Sequence, residues 1–191
     1  MFYVAYFALV GIILPFFPVW LEFQGLSLEN IGIVIGFSTF VRVFFDPFIA
    51  HLADRRGVRQ PIIVLLSLLA LLFFSFYFIS NSFWTIFLVT ILFSSCWGAT
   101  QPLAENLTML SARTANFQYG RIRLWGSITF ILIAIIMGKI LADNSPNIIL
   151  SVACGTVCFL FIVSIFLPKI STSKSLDIKF PILILIRNKT F

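Results

Sequence analysis

The chain has 191 residues, 60% of them hydrophobic and only 10% charged, with 24 Phe, a mean hydropathy of +1.08 and a formal charge of +6. A soluble domain carries about 25% charged residues, so this composition excludes a protein that covers itself with polar surface in water. The positive charge does not indicate nucleic-acid binding, because the basic residues sit in short breaks between apolar runs, where membrane topology places them.

Six apolar runs follow one another, each of about the 20 residues that cross a hydrocarbon core. They are Phe2–Leu21, Leu28–Ala50, Pro61–Ile79, Phe83–Leu107, Ile122–Ala142 and Ile148–Leu167. None alternates in polarity as barrel strands do, so the expected fold class is an all-α membrane protein of six transmembrane helices. No basic lead or small-residue cleavage site accompanies the first run, which therefore reads as a retained span. Pro15 and Pro18 fall inside it and mark either a kink lining a cavity or plain packing geometry. In the second run, Gly32 and Gly36 have the Gly-x-x-x-Gly spacing that permits close helix contact.

The breaks alternate in character. Glu22-Phe-Gln-Gly-Leu-Ser27, Ser80-Asn-Ser82 and Asp143-Asn-Ser-Pro-Asn147 contain no Lys or Arg. The stretches 51–60 and 111–123 hold three basic residues each, and the tail holds five, out of 13 in the chain. Only Arg42 and Lys139 fall elsewhere. The positive-inside rule puts the basic side, and with it both termini, in the cytoplasm. The chain is expected to cross a membrane many times, with lipid as the surrounding partner.

Residues 1–167 read as one six-helix bundle. Pro168 ends the sixth helix, and 168–191 reads as a cytoplasmic linker cut off before a seventh helix. Its segment Phe180–Ile186 is too short to span and suits the inner membrane surface.

Ionisable groups in hydrocarbon are costly and mark function by default. Arg42 and Asp46 share one face of the second helix at i, i+4 spacing. They either neutralise each other or leave Arg42 facing a central cavity, where it attracts an anion. Pro47 bends that helix by removing a backbone donor. Glu105 lies near the cytoplasmic end of the fourth run and Arg123 near the cytoplasmic start of the fifth, so the two are placed to meet. Such a pair is directional and serves either as a structural salt bridge or as a clamp for a hydroxylated solute. Gln101, Asn106 and Trp97 lie near the same helix end.

In Ala50-His-Leu-Ala-Asp-Arg-Arg-Gly-Val-Arg59, Gly57 permits a tight turn, and Asp54, Arg55 and Arg59 suit a conformational latch. His51 reads as solvated. Cys96, Cys154 and Cys158 fall inside apolar runs and are too few for a metal site. No nucleotide-binding loop or Ser/His/Asp set is present, so neither an enzyme nor any cofactor or metal is expected.

The 50–59 stretch resembles the signature between the second and third helices of the major facilitator superfamily, Gly-x-Leu-Ala-Asp-Arg-x-Gly-x-Arg, with Ala50 in place of the first glycine. Pro15-Phe-Phe-Pro-Val-Trp-Leu21 and Asn116-Phe-Gln-Tyr-Gly-Arg-Ile-Arg-Leu-Trp-Gly126 resemble the lactose permease and phenylpropionate permease-like branch. The resemblance covers essentially the whole chain but only the N-terminal half of such a twelve-helix transporter, so the C-terminal half becomes an expected partner and a bacterial inner membrane the implied location. It implies alternating access with proton-coupled symport of a small organic solute, an aromatic carboxylate such as phenylpropionate, or else a sugar or nucleoside. It also matches Glu105 and Arg123 to the acid and arginine that bind galactoside in lactose permease. The stacking Trp of that site corresponds to Phe130 here. A non-transporting six-helix fragment is the competing class.

Overall fold

The computed structural model describes residues 1–115 and 119–169, with the side chains of 112–115 excepted. Six long helices account for nearly all of it: α1 (Phe2–Phe23), α2 (Leu28–Arg56), α3 (Gln60–Ser75), α4 (Phe83–Ala115), α5 (Tyr119–Ala142) and α6 (Ile148–Ile165). A short 3₁₀ turn, Phe76–Ile79, closes α3. Each expected apolar run corresponds to one helix, and each helix, α3 with its 3₁₀ turn, is long and apolar enough to cross a bilayer. The expected linker 168–191 lies outside the described residues beyond Lys169.

Two helices extend well past their apolar runs. α2 continues six residues beyond Ala50, to Arg56, and α4 continues from Leu107 to Ala115. Hydropathy marks where a helix leaves hydrocarbon, whereas its hydrogen-bond ladder persists until a terminator intervenes. For α2 that terminator is Gly57, in the left-handed region at φ 67°, where a Cβ is penalised. The stretch containing His51, Asp54 and Arg55 is therefore the last part of α2 rather than a loop. At the other end of α2, the Ser27 hydroxyl accepts from the Asn30 amide at 3.3 Å, an N-cap that satisfies one of the free helix-start donors.

α1 packs against α5 and α6, α2 against α4, and α3 against both α4 and α6. α1 and α4 are the central helices: 50% and 56% of their apolar windows are buried, against 17% for α2 and 11% for α5. α2 and α5 thus leave long apolar faces open, including Phe40, Phe44 and Phe48 on one and Leu124, Ile131 and Ile135 on the other. In water such faces would be an aggregation hazard. In a bilayer they face lipid or a further helical layer.

Between membrane helices the lipid is as apolar as Leu, so close packing and hydrogen bonds drive association. Here the close approaches are at Gly11, where an added Cβ would lie 2.9 Å from the Phe130 carbonyl oxygen, and at Gly126, 2.5 Å from the Phe7 ring. Gly32 and Gly36 do not make the close contact their spacing suggested; space around both is open. Hydrogen bonds tie the two ends. Trp20 donates to Asn147 at 3.3 Å between α1 and the start of α6, and Gln60 donates to the Ile165 carbonyl at 3.2 Å between α3 and the end of α6.

Candidate functional site

α1, α2 and α4 enclose a cavity of about 300 Å³, with Tyr77 of the 3₁₀ turn on its wall. Much of that wall is aromatic. Phe93 stacks on Trp97 with centroids 5.6 Å apart, and Trp97 stacks on Tyr6 at 5.3 Å. Tyr77 meets Phe93 and Phe17 edge-on at 6.2 and 5.5 Å. Its hydroxyl donates to Thr90 at 2.8 Å, so this polar tip is satisfied where it is buried. The hydroxyls of Ser38 and Thr39 both donate to the Ile35 carbonyl at 2.9 Å. Their lone pairs remain as acceptors on the cavity wall, while Arg42, Gln101 and Trp97 contribute the nitrogen donors.

Arg42 lines this cavity and Asp46 does not. The two meet through one atom each, Nη2 to Oδ2 at 3.6 Å, longer than a charge-assisted hydrogen bond. Arg42 Nε and Asp46 Oδ1 are buried without a hydrogen-bond partner among the described residues. Leaving such atoms unmatched costs on the order of 1–3 kcal/mol apiece. The guanidinium lies against Gly98 of α4, so closely that a Cβ there would overlap its Nε and Cζ. Arg42 lies within the apolar part of α2, well before the end of that run at Ala50.

The second constellation sits nearer the end of α4. Arg123 Nη1 lies 3.6 Å from Glu105 Oε1 and donates to the Tyr119 hydroxyl at 3.3 Å. Gln101 donates to the same carboxylate oxygen at 3.3 Å. Gln101 therefore belongs to both sets, as cavity lining and as a partner of Glu105. Asn106 is exposed. Trp97 is in the cavity wall, with its indole N–H buried and unpartnered among the described residues. Phe130 is not a lining residue; its backbone lies against Gly11 in the α1–α5 contact.

The remaining candidates gather at the α2–α3 junction. Asp54 accepts from Arg59 Nη2 at 2.6 Å across the Gly57 turn, while Arg55 is exposed. The Arg59 side chain is only 9% exposed, so this pair is partly shielded and worth more than a fully solvated one. Cys96 is buried, Cys154 half-buried and Cys158 exposed, all as free thiols.

Sequence reasoning found the charged residues of these sites but missed Gly98 and most of the aromatic wall. A glycine inside an apolar run carries no sign of what lies opposite it, and five ring positions spread over three elements have no spacing to detect.

Comparison with known proteins gives the geometry a context. The chain is 30% identical over 149 residues to the probable 3-phenylpropionic acid transporter of Escherichia coli K12, covering 78% of this chain and 39% of that protein. It is 27% identical over 187 residues to the raffinose permease of Escherichia coli, covering 92% and 43%. It is 28% identical over 176 residues to the lactose permease of Klebsiella oxytoca, covering 86% and 41%. The chain thus spans less than half the length of these relatives. The model of the MFS_1 like family matches residues 1–183, through all six helices. By that match the chain belongs to the MFS_1 like family and carries the N-terminal six-helix half of a major facilitator fold.

Proposed function

We propose that this chain is the N-terminal half of a secondary active transporter that moves a small aromatic carboxylate, of the 3-phenylpropionate type, together with a proton. The observation that carries the reading is the cavity: an aromatic wall of Tyr6, Phe17, Tyr77, Phe93 and Trp97 faces Arg42, the one cationic side chain that lines it among the described residues. An aromatic ring gains stacking and apolar contact there, while a carboxylate gains a charge-assisted bond to a guanidinium carried by a membrane-spanning helix. Two six-helix bundles rocking about a site at their interface would expose it to either side in turn, and the open faces of α2 and α5 suit contact with a second bundle. In this reading Glu105, Arg123 and Gln101 form the cytoplasmic rim of the same site. The Asp54–Arg59 pair acts as a latch at the α2–α3 junction, and both chain termini are cytoplasmic.

A second reading, a sugar or nucleoside symporter, draws on the Glu105–Arg123 pair. A carboxylate that accepts beside a guanidinium that donates suits a hydroxylated solute, and relatives include raffinose and lactose permeases. Competition for uptake separates the two in cells that express the full transporter. Unlabelled 3-phenylpropionate should suppress uptake of its radiolabelled form, and a galactoside or nucleoside should not. The opposite pattern would remove the carboxylate reading. Glu105→Gln should lower uptake at least tenfold under either solute class, and leave protein level unchanged.

A further inference from the structure

From the Arg42–Asp46 pair we infer a proton site: Asp46 is an internal stand-in for the solute carboxylate, and it takes up the coupled proton when the solute displaces it from Arg42. This rests on the carboxylate reading above and adds to it the location of proton coupling within this half of the fold.

Four observations converge. The pair is joined by single atoms at 3.6 Å although a guanidinium and a carboxylate can pair through two bonds. Each partner keeps a buried polar atom without a partner among the described residues, Nε on one and Oδ1 on the other. Arg42 reaches the cavity whereas Asp46 does not, so a solute in the cavity meets the guanidinium without Asp46 in the wall beside it. Finally, Gly98 receives the guanidinium against bare backbone, which holds the cation on α4 while its carboxylate partner is exchanged.

The exchange balances in charge. Before it, Arg42⁺ faces Asp46–COO⁻. Afterwards, Arg42⁺ faces the solute carboxylate, and Asp46 has lost its compensating cation within a membrane-spanning helix, where an isolated charge is costly. A proton from the aqueous side binds one carboxylate oxygen of Asp46 and leaves it neutral. One anion and one proton enter together, so the occupied site carries the same net charge as the empty one. On the cavity wall that Arg42 lines, the other titratable groups are Tyr6 of α1 and Tyr77, and Gln101 links that wall to Glu105 of α4, the next carboxylate along it. Glu105 is therefore the competing proton acceptor.

The test is equilibrium binding of radiolabelled 3-phenylpropionate to membranes carrying the full transporter, from mildly acidic to mildly alkaline pH. Uptake of one proton on binding predicts that affinity falls about tenfold per pH unit as pH rises, and that an unbuffered suspension takes up about one proton per ligand bound. Asp46→Asn should flatten the profile, abolish proton uptake and bind at alkaline pH as tightly as the unmodified protein does at acidic pH. Asp46→Glu, which keeps a titratable group, should keep the slope and guards against misfolding of the amide variant. A slope that survives Asp46→Asn and disappears in Glu105→Gln overturns the proposal in favour of Glu105. Tight binding with a flat profile in the unmodified protein overturns the proton site alone. Binding of 4-nitrophenyl galactoside with none of 3-phenylpropionate at any pH overturns the carboxylate reading and this inference with it.

Discussion

Arg42 shows how a single small residue on one helix decides what a charged residue on another can do. Its guanidinium occupies the space that any side chain at Gly98 would need. Replacing Gly98 with Ala forces one of two outcomes: Arg42 moves off the cavity wall, or α2 and α4 separate. Overpacking of this kind costs about 1–3 kcal/mol. Gly98→Ala should therefore lower the detergent-solubilised protein's unfolding temperature and weaken 3-phenylpropionate binding. In an Arg42→Ala background the same change should have almost no effect on stability, because the colliding partner is gone; thermal unfolding of the four proteins as a double-mutant cycle measures this coupling. Equal losses in both backgrounds would mean that Gly98 matters for some reason other than Arg42.

At the scale of the element, α2 is assembled from local decisions taken at different points. Ser27 starts it, Gly57 ends it, and Pro47 leaves the Val43 carbonyl without its usual intrahelical donor. That gap lies one residue beyond Arg42, so the helix is most deformable close to the ion pair it carries. The C-terminal turn is the more easily tested part. Gly57 sits at φ 67°, and an L side chain in that region costs roughly 1–2 kcal/mol. Gly57→Ala should lower stability by about that amount, and Gly57→Asn by less, because Asn tolerates the left-handed region. The unfolding temperature of each variant gives the order. The same turn brings Asp54 to Arg59, so a destabilised turn should also loosen that pair.

The whole molecule is organised around its two most buried helices, α1 and α4, with α2 and α5 at the flanks carrying open apolar faces. Its connections divide cleanly by charge. The α2–α3 junction carries Arg55, Arg56 and Arg59, whereas the α1–α2, α3–α4 and α5–α6 connections carry no Lys or Arg. The positive-inside rule turns this asymmetry into an orientation that chemical labelling can check. After Cys96, Cys154 and Cys158 are replaced with Ser, an impermeant maleimide should label Asn144→Cys in intact cells and Arg56→Cys only after the membrane is opened. The reverse pattern would invert the topology.

The number of helices, their order and the end of the bundle that holds the basic residues were all legible in the chain alone. Each depends on a local property, the length of an apolar run against the thickness of hydrocarbon or the charge of a short connection. The Arg42–Asp46 pair was legible for the same reason, since i, i+4 spacing on one helix needs no knowledge of neighbours. Helix ends were less so, because α2 and α4 continue beyond the apolar stretch that announces them. The contact between Arg42 and Gly98, the aromatic wall and the position of Phe130 were decided by tertiary structure. These helices are apolar nearly all round, so little in their pattern says which face turns inward. That rotation is set by packing between residues far apart in the chain: Gly98 admits the guanidinium and Gly11 admits the backbone of α5. Which charges reach the cavity follows from that packing.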